Sequence, residues 1–424
     1  MEDILLKKFF EKERWENAIK TGVDKKIDKG ELRRLCDPQL RQIMLNYIIS
    51  NKYNIAPPHQ AKIPKDNGDY RIVYVNENID RIFLSITNDM LFESFPDMIH
   101  PSCKSYQKGI GCGKVVQAVS KEIDRLGMDG IDILGFKADL SKYFDSVPLE
   151  YIMQVFDRIE GRVGYSSIIS VLRRYYMSNL CFDTEGNLIE QYQSLKQGCA
   201  VASFLADTML YHIDSQINKL PGFYVRYSDD ILYVGPEPDK AMYILKTELN
   251  KMQMKLNPKK VETLHKDKWF KFLGFTLKSN LISLSKSRIK SFQKEIEKRT
   301  IKKKSIRMSD AVRSVNRYLY YGNGEYSWAT QVLPIINVDQ DINTLNTFVM
   351  DCLRACQTGK KKVGGLGCVT DRGDYTILRG KGKNVKANRN KTDENIEGYY
   401  TLKCMQNSML ICRPVYETIV RELV

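Results

Sequence analysis

Residues 223–234 read Phe-Tyr-Val-Arg-Tyr-Ser-Asp-Asp-Ile-Leu-Tyr-Val, two short apolar runs on either side of Ser228-Asp229-Asp230. Aromatic and β-branched residues that flank a short polar turn predict a β-hairpin. Adjacent carboxylates inside an apolar hairpin are costly unless a positive charge neutralises them. Because Asp also favours turns for purely structural reasons, the hairpin alone leaves both a structural and a chemical role open for this pair.

A second acidic position lies upstream, in the run Ile133-Leu-Gly-Phe-Lys-Ala-Asp139, which predicts a strand that ends at Asp139. A carboxylate at a strand end and two in a hairpin turn are able to converge on divalent cations. Mg²⁺ takes oxygen ligands, often one or two carboxylates together with substrate phosphates. Two such ions about 3.5–4 Å apart activate an attacking hydroxyl and stabilise the leaving oxygen in phosphoryl transfer. We therefore expect a site for two Mg²⁺ ions.

Helical and strand patterns alternate along the rest of the chain. Apolar periodicity predicts helices within 1–50, 79–95, 115–126, 285–358 and 399–424. A hairpin is predicted at 61–75 around Asn67-Gly68, and a further strand pair at 270–277 and 281–284. Helices interleaved with hairpins indicate an α+β fold with an antiparallel sheet.

Composition narrows the class of protein. The 424 residues include 66 Lys+Arg and 51 Asp+Glu, a net charge of +15 that suggests a polyanionic partner such as nucleic acid. A hydrophobic content of 43% excludes wholesale disorder. The most apolar stretch, 199–211, is too short for a membrane span and contains Asp207. The charged N-terminal segment has no apolar signal core, so we expect a cytoplasmic chain with reduced cysteines.

The order of motifs along residues 60–280 resembles that of the reverse transcriptases. Tyr227-Ser-Asp-Asp230 resembles their Tyr-x-Asp-Asp hairpin, and Asp139-Leu-Ser-Lys-Tyr-Phe-Asp145 resembles their upstream strand motif. Gln197-Gly198 resembles the helix motif between these two. Leu256-Asn-Pro-Lys-Lys260 resembles the lysine-bearing motif that follows, and Phe272-Leu-Gly-Phe275 the primer-grip hairpin.

The resemblance implies a right-hand polymerase that performs RNA-directed DNA synthesis with two Mg²⁺ ions and deoxynucleoside triphosphates. It assigns residues 1–130 to N-terminal helices and fingers, and 131–284 to a palm with a finger insertion at 165–195. Residues 285–358 would form a helical thumb, and 359–424 a basic C-terminal extension. The remaining length is too short for a separate nuclease domain of ordinary size.

Within the family, the chain is most similar to the bacterial defence-associated ("unknown group", abortive-infection-like) reverse transcriptases, with the single-gene type 2 branch as the nearest. Cys-Ala-Val-Ala follows Gln197-Gly198, where relatives from mobile elements usually have Ser-Pro. The C-terminal segment, rich in Gly and Lys, is also unlike those relatives. This likeness implies a structured noncoding RNA as template and a DNA product that mediates antiphage defence.

The resemblance also implies roles at the predicted metal site. Asp139 and Asp229 are the expected metal ligands, together with the carbonyl of Leu140. Side chains alternate between the two faces of a strand, so Asp230 is expected to point differently and to contribute less directly. The expected proton donor to pyrophosphate is Lys260, and its neighbour Lys259 is the alternative.

Other residues are expected to contact the nucleotide. Phe144 would lie under the sugar and reject a 2′-hydroxyl, although only one of the adjacent rings of Tyr143 and Phe144 can face the site and the other would pack in the core. Gln197 and Gly198 would let the backbone approach the nascent base pair, since Gly permits close approach.

Cationic residues supply candidate phosphate contacts. Lys65 and Arg71 flank the Asn67-Gly68 turn and are candidates to grip the triphosphate; a solvated hairpin tip is the alternative. In the basic segment 359–391, Lys381, Lys383 and Lys386 are expected to bind an RNA backbone, unless the segment is only a solvated loop.

Two further functions remain open from the sequence. The first is template-independent or protein-primed DNA synthesis, against which the intact Gln197 region argues. The second is a catalytically inactive RNA-binding scaffold on the same fold. The presence of Asp139, Asp229 and Asp230 together argues against the scaffold, because an inert palm has no need of clustered carboxylates beside a basic groove.

Overall fold

The computed structural model confirms a fold of mixed helices and sheets. It describes residues 2–25, 27–65, 68–107, 109–128, 133–303, 306–322, 326–358, 367–369, 375–377, 396, 398–411 and 417. These residues form two compact units, 1–108 with 135–263 and 109–134 with 264–424. No helix in the described ranges is both long and apolar enough to cross a membrane.

The α-helices occupy the predicted helical segments and also the stretch between Asp139 and Glu262, with capping side chains at several N-termini. Asp3, Asp28 and Asp37, for example, each accept a backbone N–H of the helix that they precede. The helices are α1 (Ile4–Phe9), α2 (Lys12–Lys25), α3 (Lys29–Leu35), α4 (Pro38–Ile49), α5 (Asn78–Ser94), α6 (Cys112–Met128), α7 (Tyr143–Ser146), α8 (Leu149–Val163), α9 (Ser167–Met177), α10 (Ala202–Met209), α11 (Tyr211–Ile217), α12 (Pro238–Lys251), α13 (Lys286–Arg299), α14 (Met308–Asn316), α15 (Trp328–Gln331), α16 (Asp339–Thr358) and α17 (Leu402–Ile411). Short 3₁₀ turns cover Pro96–Met98 and Pro258–Lys260, and Arg317–Tyr321 is π-helical.

The strands form small sheets. They are β1 (His59–Pro64), β2 (Tyr70–Val75), β3 (Ile133–Asp139), β4 (Leu180–Phe182), β5 (Leu188–Glu190), β6 (Phe223–Tyr227), β7 (Asp230–Val234), β8 (Glu262–His265), β9 (Phe270–Phe272), β10 (Phe275–Lys278), β11 (Leu281–Leu284), β12 (Gly367–Val369) and β13 (Tyr375–Ile377). The sheet orders are β2-β1-β4-β5, β6-β7-β3-β8, β11-β10-β9 and β12-β13.

The first unit is organised around the sheet β6-β7-β3-β8, called the central sheet below. Strand β7 lies antiparallel to both β6 and β3. Helices α5, α8 and α10 contribute buried apolar residues to one core cluster with this sheet, Phe83, Phe156 and Phe204 among them. The predicted hairpin 223–234 is confirmed, although its turn is Ser228-Asp229 and Asp230 already belongs to β7.

A second sheet of this unit carries the predicted hairpin at 61–75. Strands β1 and β2 pair antiparallel, with Ile63 opposite Arg71. The strand β4 joins β1 through a parallel bridge between His59 and Phe182, whose rings stack with centroids 4.5 Å apart. Residues 66 and 67 of the connecting turn lie outside the described residues, so the predicted Asn67-Gly68 turn stays a prediction.

The second unit combines the sheet β11-β10-β9 with helices. The prediction of a single strand over 270–277 is wrong, because the chain reverses at Leu273-Gly274 to form the separate strands β9 and β10. Both turn residues have positive φ angles, 47° and 80°, as the favoured two-residue hairpin turns require. The resemblance of Phe272-Leu-Gly-Phe275 to a hairpin, in contrast, agrees with this turn, because Phe272 and Phe275 pair across it.

Helix α6 belongs by its contacts to the second unit, where it packs against β10 and β11. The resemblance to reverse transcriptases assigned it with residues 1–130 to the N-terminal helices and fingers. The predicted divisions at 130, 284 and 358 concern functional subdomains and stay predictions. Of the basic segment, the structure describes only the backbone of β12 and β13, and Lys381, Lys383 and Lys386 lie outside the described residues.

Gly135 in β3 provides a test of the central sheet. Its φ is +150°, and a Cβ there would lie 1.9 Å from the carbonyl oxygen of Tyr233 in β7. Gly135→Ala should therefore destabilise the protein by roughly 1–3 kcal/mol or more, because β3 and β7 must move apart at this position to admit the methyl group. Thermal unfolding would show a drop of several degrees.

Gly161 is the matched control, since a Cβ there meets no atom within 4 Å and the residue lies in α8. Gly161→Ala should leave stability unchanged or raise it by up to about 1 kcal/mol. Equal melting temperatures for the two variants would contradict the close packing of β3 on β7.

Candidate active site

Three carboxylates meet where β3 ends and β7 begins. In the antiparallel register Asp139 lies opposite Asp230, and Tyr227 lies opposite Asp230 on the other side. Asp229 is the second residue of the two-residue turn that joins β6 to β7. The backbone N–H of Leu140 donates to the carbonyl of Asp229 at 3.1 Å, which ties the turn to the end of β3. The structure thus brings together the acidic residues that the sequence singled out.

A loop from the far side of the sheet completes the site. The N–H of Asn257 donates to the carbonyl of Asp139 at 2.8 Å, and the N–H of Ser141 donates to the carbonyl of Lys255 at 2.8 Å. These bonds place the 3₁₀ turn Pro258–Lys260 beside the acidic cluster. The Lys260 Nζ donates to Oδ2 of Asp139 at 2.6 Å. Between the two candidate lysines the geometry therefore favours Lys260 over Lys259.

The charged groups of the cluster have shifted pKa values, because they are partly buried and close together. Burial, reinforced by the charge of Asp139, raises the pKa of Asp229. Burial and the charges of Asp229 and Asp139 raise the pKa of Asp230 to about 6. Burial opposes the charged form of Lys260, but its hydrogen bond to Asp139 and the nearby carboxylates raise its pKa above the ordinary value. A further cation at the cluster would relieve the repulsion between the carboxylates.

The donor set fits Mg²⁺. Carboxylate oxygens are the hard ligands that this ion prefers, and the elevated pKa values of Asp229 and Asp230 are those of negative groups short of counter-charge. Within the described ranges, no three His, Cys, Asp or Glu side chains are arranged as a complete metal cage. A magnesium ion held by one or two carboxylates and completed by substrate phosphates needs no such cage.

The two adjacent aromatic rings after β3 have different environments. Tyr143 is 2% exposed and its hydroxyl donates to the carbonyl of Ala206 at 2.6 Å, so it is a core residue. The ring of Phe144 is only partly buried and packs edge-on against Tyr143, with centroids 5.6 Å apart. Of the two, Phe144 is therefore the one available to a ligand.

Gln197 and Gly198 lie against strand β2. The N–H of Tyr74 donates to the carbonyl of Gln197 at 2.7 Å. Gly198 has φ +108°, and a Cβ there would lie 2.8 Å from the Tyr74 carbonyl oxygen. The glycine is thus required by a close approach of the chain to its own backbone; the predicted approach to a base pair stays a prediction.

Of the two hairpin cations, Arg71 lies near the acidic cluster. Arg71 in β2 is among the charges that oppose the rise in the pKa of Asp229. Lys65 directly follows β1, and its backbone N–H donates to the carbonyl of Asp69 at 2.7 Å. The structure therefore supports Arg71 as a neighbour of the cluster more directly than Lys65.

Two buried cations escaped the sequence reasoning. Arg226 in β6 is fully buried and pairs with Asp214 of α11 at 2.7 Å. Lys196, next to Gln197, is 1% exposed and donates to Gln193 Oε1 at 2.6 Å and to the Ser178 carbonyl at 3.0 Å. Burial lowers the pKa of Lys196 to about 8. The signal for Arg226 was a charged residue inside an apolar strand, with Asp207 and Asp214 inside the two preceding helices.

Comparison with known proteins identifies the family. The model of the family described as reverse transcriptase (RNA-dependent DNA polymerase) matches residues 63–277, just over half of the chain. The chain belongs to the reverse transcriptase family. The matched region includes Asp139, Asp229, Asp230 and Lys260. No curated protein sequence matches the chain.

Solved structures of telomerases resemble this reverse transcriptase at low identity. Apo telomerase from Candida tropicalis has a TM-score of 0.45 and 13% identity, over 75% of this chain and 62% of that one. The same enzyme truncated from its C-terminal domain gives 0.42 and 15%, over 57% and 59%. Candida albicans telomerase in complex with a fragment of telomeric RNA gives 0.40 and 12%, over 65% and 56%. The chain thus spans about three fifths of these telomerases.

Proposed function

We propose that the protein is an RNA-directed DNA polymerase whose active site is the cluster of Asp139, Asp229 and Asp230. The observation that carries this proposal is the opposition of Asp139 and Asp230 in neighbouring strands, with Asp229 in the adjoining turn and Lys260 2.6 Å from Asp139. Membership of the reverse transcriptase family supplies the reaction class. The substrates would be deoxynucleoside triphosphates, a primer and an RNA template.

The acidic cluster would hold two Mg²⁺ ions through Asp139 and Asp229, with the Leu140 carbonyl and Asp230 in supporting positions. When bound, such ions polarise the attacking hydroxyl and stabilise the leaving pyrophosphate. Lys260 would donate its proton to that leaving group, for which its place beside Asp139 and its partly exposed side chain suit it. Phe144 would contact the sugar, and Arg71 and Lys65 the triphosphate.

The subdomains follow from this assignment. The central sheet would be the palm, β1 and β2 part of the fingers, and the helices α13 to α16 the thumb. The segment 359–424 would be a basic extension that binds RNA through Lys381, Lys383 and Lys386.

We further propose that the template is a structured noncoding RNA and that the DNA product acts in antiphage defence. The Cys-Ala-Val-Ala that follows Gly198 supports membership of the defence-associated subgroup. Sequencing the RNA and DNA that co-purify with the protein tests it, and random cellular RNA with no enriched DNA would contradict it.

The carboxylate pair gives the most direct test of the activity. Asp229→Ala combined with Asp230→Ala should abolish primer extension on RNA with Mg²⁺. Because both carboxyls have raised pKa values, their ionisation disfavours the folded state, and the melting temperature should be unchanged or higher.

Asp239→Ala, at an exposed carboxylate in the first turn of α12, controls for the loss of acidic charge and should retain extension. Extension by the folded double mutant would exclude this site as the polymerase centre.

Sugar selection should depend on Phe144. Phe144→Ala should increase ribonucleotide use relative to deoxynucleotide use by at least about tenfold, because loss of steric exclusion worth 1.4 kcal/mol changes a ratio tenfold. Tyr143→Phe is the matched control: it removes the hydroxyl that bonds to Ala206 but keeps the ring, so stability should fall by about 1 kcal/mol with no change in the ratio. An unchanged ratio in Phe144→Ala would move the selection elsewhere.

The proton-donor role can be separated from simple charge. Lys260→Ala should lower nucleotide incorporation about 10²-fold or more, whereas Lys259→Ala should have little effect. Lys260→Arg keeps the positive charge but not a proton that can be transferred, so it should resemble the alanine variant. Full activity of Lys260→Arg would show that the residue acts only as a counter-charge for Asp139.

A further inference from the structure

The turn that carries Asp229 has an unfavourable backbone conformation. Ser228 has φ +58°, in the left-handed region that residues other than Gly seldom adopt. Two-residue hairpin turns require a positive φ at one or both central residues, and Gly or Asn usually supplies it. Ser228 is only 7% exposed. Because Asp229 follows directly, the conformation of Ser228 sets where the carboxylate of Asp229 lies.

Both backbone polar groups of Ser228 are held by buried side chains. Its N–H donates to the hydroxyl oxygen of Ser105 at 2.9 Å. Its carbonyl accepts a bond from Nη1 of Arg226 at 3.3 Å, and its own hydroxyl lies 3.4 Å from that of Tyr106. An isolated serine would relax toward a right-handed conformation, whereas this one is restrained on each side.

Asp207 orients the hydroxyl of Ser105. The Ser105 hydroxyl donates its single hydrogen to Oδ1 of Asp207, which leaves its lone pairs for the N–H of Ser228. Burial raises the pKa of Asp207 to about 6, and the positive charge of Arg226 with the bond from Ser105 opposes the rise. The Nη1 of Arg226 lies 3.9 Å from Oδ1 of Asp207 and favours the ionised carboxylate, which accepts the bond from Ser105. Ser105, Asp207 and Arg226 all have no exposed surface.

The segment that carries Ser105 is fixed to the central sheet. The N–H of Arg226 donates to the carbonyl of Ser102 at 2.9 Å, and the N–H of Lys104 donates to the carbonyl of Arg226 at 2.9 Å. These bonds form a parallel bridge between Cys103 and Arg226 beside β6. The segment that carries Ser105 is therefore bonded to β6, the strand that leads into the turn at Ser228.

We propose that Ser105 is a positioning residue for the candidate metal site: held by Asp207, it locks the left-handed conformation of Ser228 and so places Asp229. The consequence for catalysis rests on the proposed function, whereas the effect of Ser105 on the conformation of Ser228 does not. It predicts that removal of one hydroxyl outside the acidic cluster weakens metal binding.

Amide hydrogen exchange tests the lock without metal or substrate. In Ser105→Ala the Ser228 amide loses its acceptor, so exchange of the peptide spanning 224–232 should accelerate at least about tenfold. Ser102→Ala is the matched control. It removes a buried hydroxyl from the same segment, but that hydroxyl bonds to Oδ1 of Asn218 at 2.8 Å and not to Ser228. Equal exchange at 224–232 in the two variants would overturn the proposal.

Metal affinity and activity test the consequence. Mn²⁺ binding followed by electron paramagnetic resonance should weaken about tenfold in Ser105→Ala and not in Ser102→Ala. The Mg²⁺ concentration for half-maximal extension should rise in parallel. Unchanged Mn²⁺ affinity in Ser105→Ala would overturn the proposal. If the wild-type protein extends no primer, the proposed function fails while the exchange and Mn²⁺ measurements still decide the positioning role.

A second variant identifies the mechanism. Gly adopts positive φ without strain, so in a Ser228→Gly background the loss of Mn²⁺ affinity caused by Ser105→Ala should be several-fold smaller. An equal loss in both backgrounds would show that Ser105 does not act through the conformation of residue 228.

Discussion

The crowding of Asp139, Asp229 and Asp230 at the ends of two antiparallel strands is the constraint on which the first unit depends. Burial and the charge of Asp139 raise the pKa of Asp229, and burial together with the charges of Asp229 and Asp139 raises the pKa of Asp230. The backbone prevents them from separating: strand register holds Asp139 against Asp230, and the Leu140 amide binds the carbonyl of Asp229. Lys260 neutralises one edge of the cluster. Stability is thus given up locally to keep a cation-binding arrangement in place.

Local patterns were sufficient to predict the hairpins and helices that carry the candidate site. The run FYVRYSDDILYV encodes both strands and their turn within twelve residues, so pairing of β6 with β7 follows from the sequence alone. The pairing of Asp139 with Asp230 spans some ninety residues: carboxylates at a strand end and in a hairpin turn suggested that they converge, and the resemblance to reverse transcriptases strengthened that expectation. Lys260 was likewise expected from its motif, and its contact with Asp139 agrees with that expectation.

The remaining features depend on contacts that no local pattern contains. The apolar pattern missed the break at Leu273-Gly274 because a continuous apolar run resembles one strand, and only the resemblance of Phe272-Leu-Gly-Phe275 to a family hairpin indicated that the chain reverses there. The bond between Ser105 and Ser228 joins residues more than a hundred positions apart. Single charged residues inside apolar segments, such as Arg226 and Asp214, indicate that each has a buried partner of opposite charge. The sequence alone does not identify that partner.

Arg226 and Lys196 show two ways of using a buried cation to hold a loop. Arg226 has a carboxylate partner, Asp214, and remains charged, so its fork binds backbone carbonyls at any ordinary pH. Lys196 is held by an amide and a carbonyl oxygen, and burial lowers its pKa to about 8. An amine donates hydrogen bonds in either protonation state, so the segment before Gln197 keeps its anchor when the proton is lost. The acidic turn is therefore held by Arg226, whose charge is permanent and balanced by Asp214. The segment before Gln197 is held by Lys196, which acts as a hydrogen-bond donor whether or not it is charged.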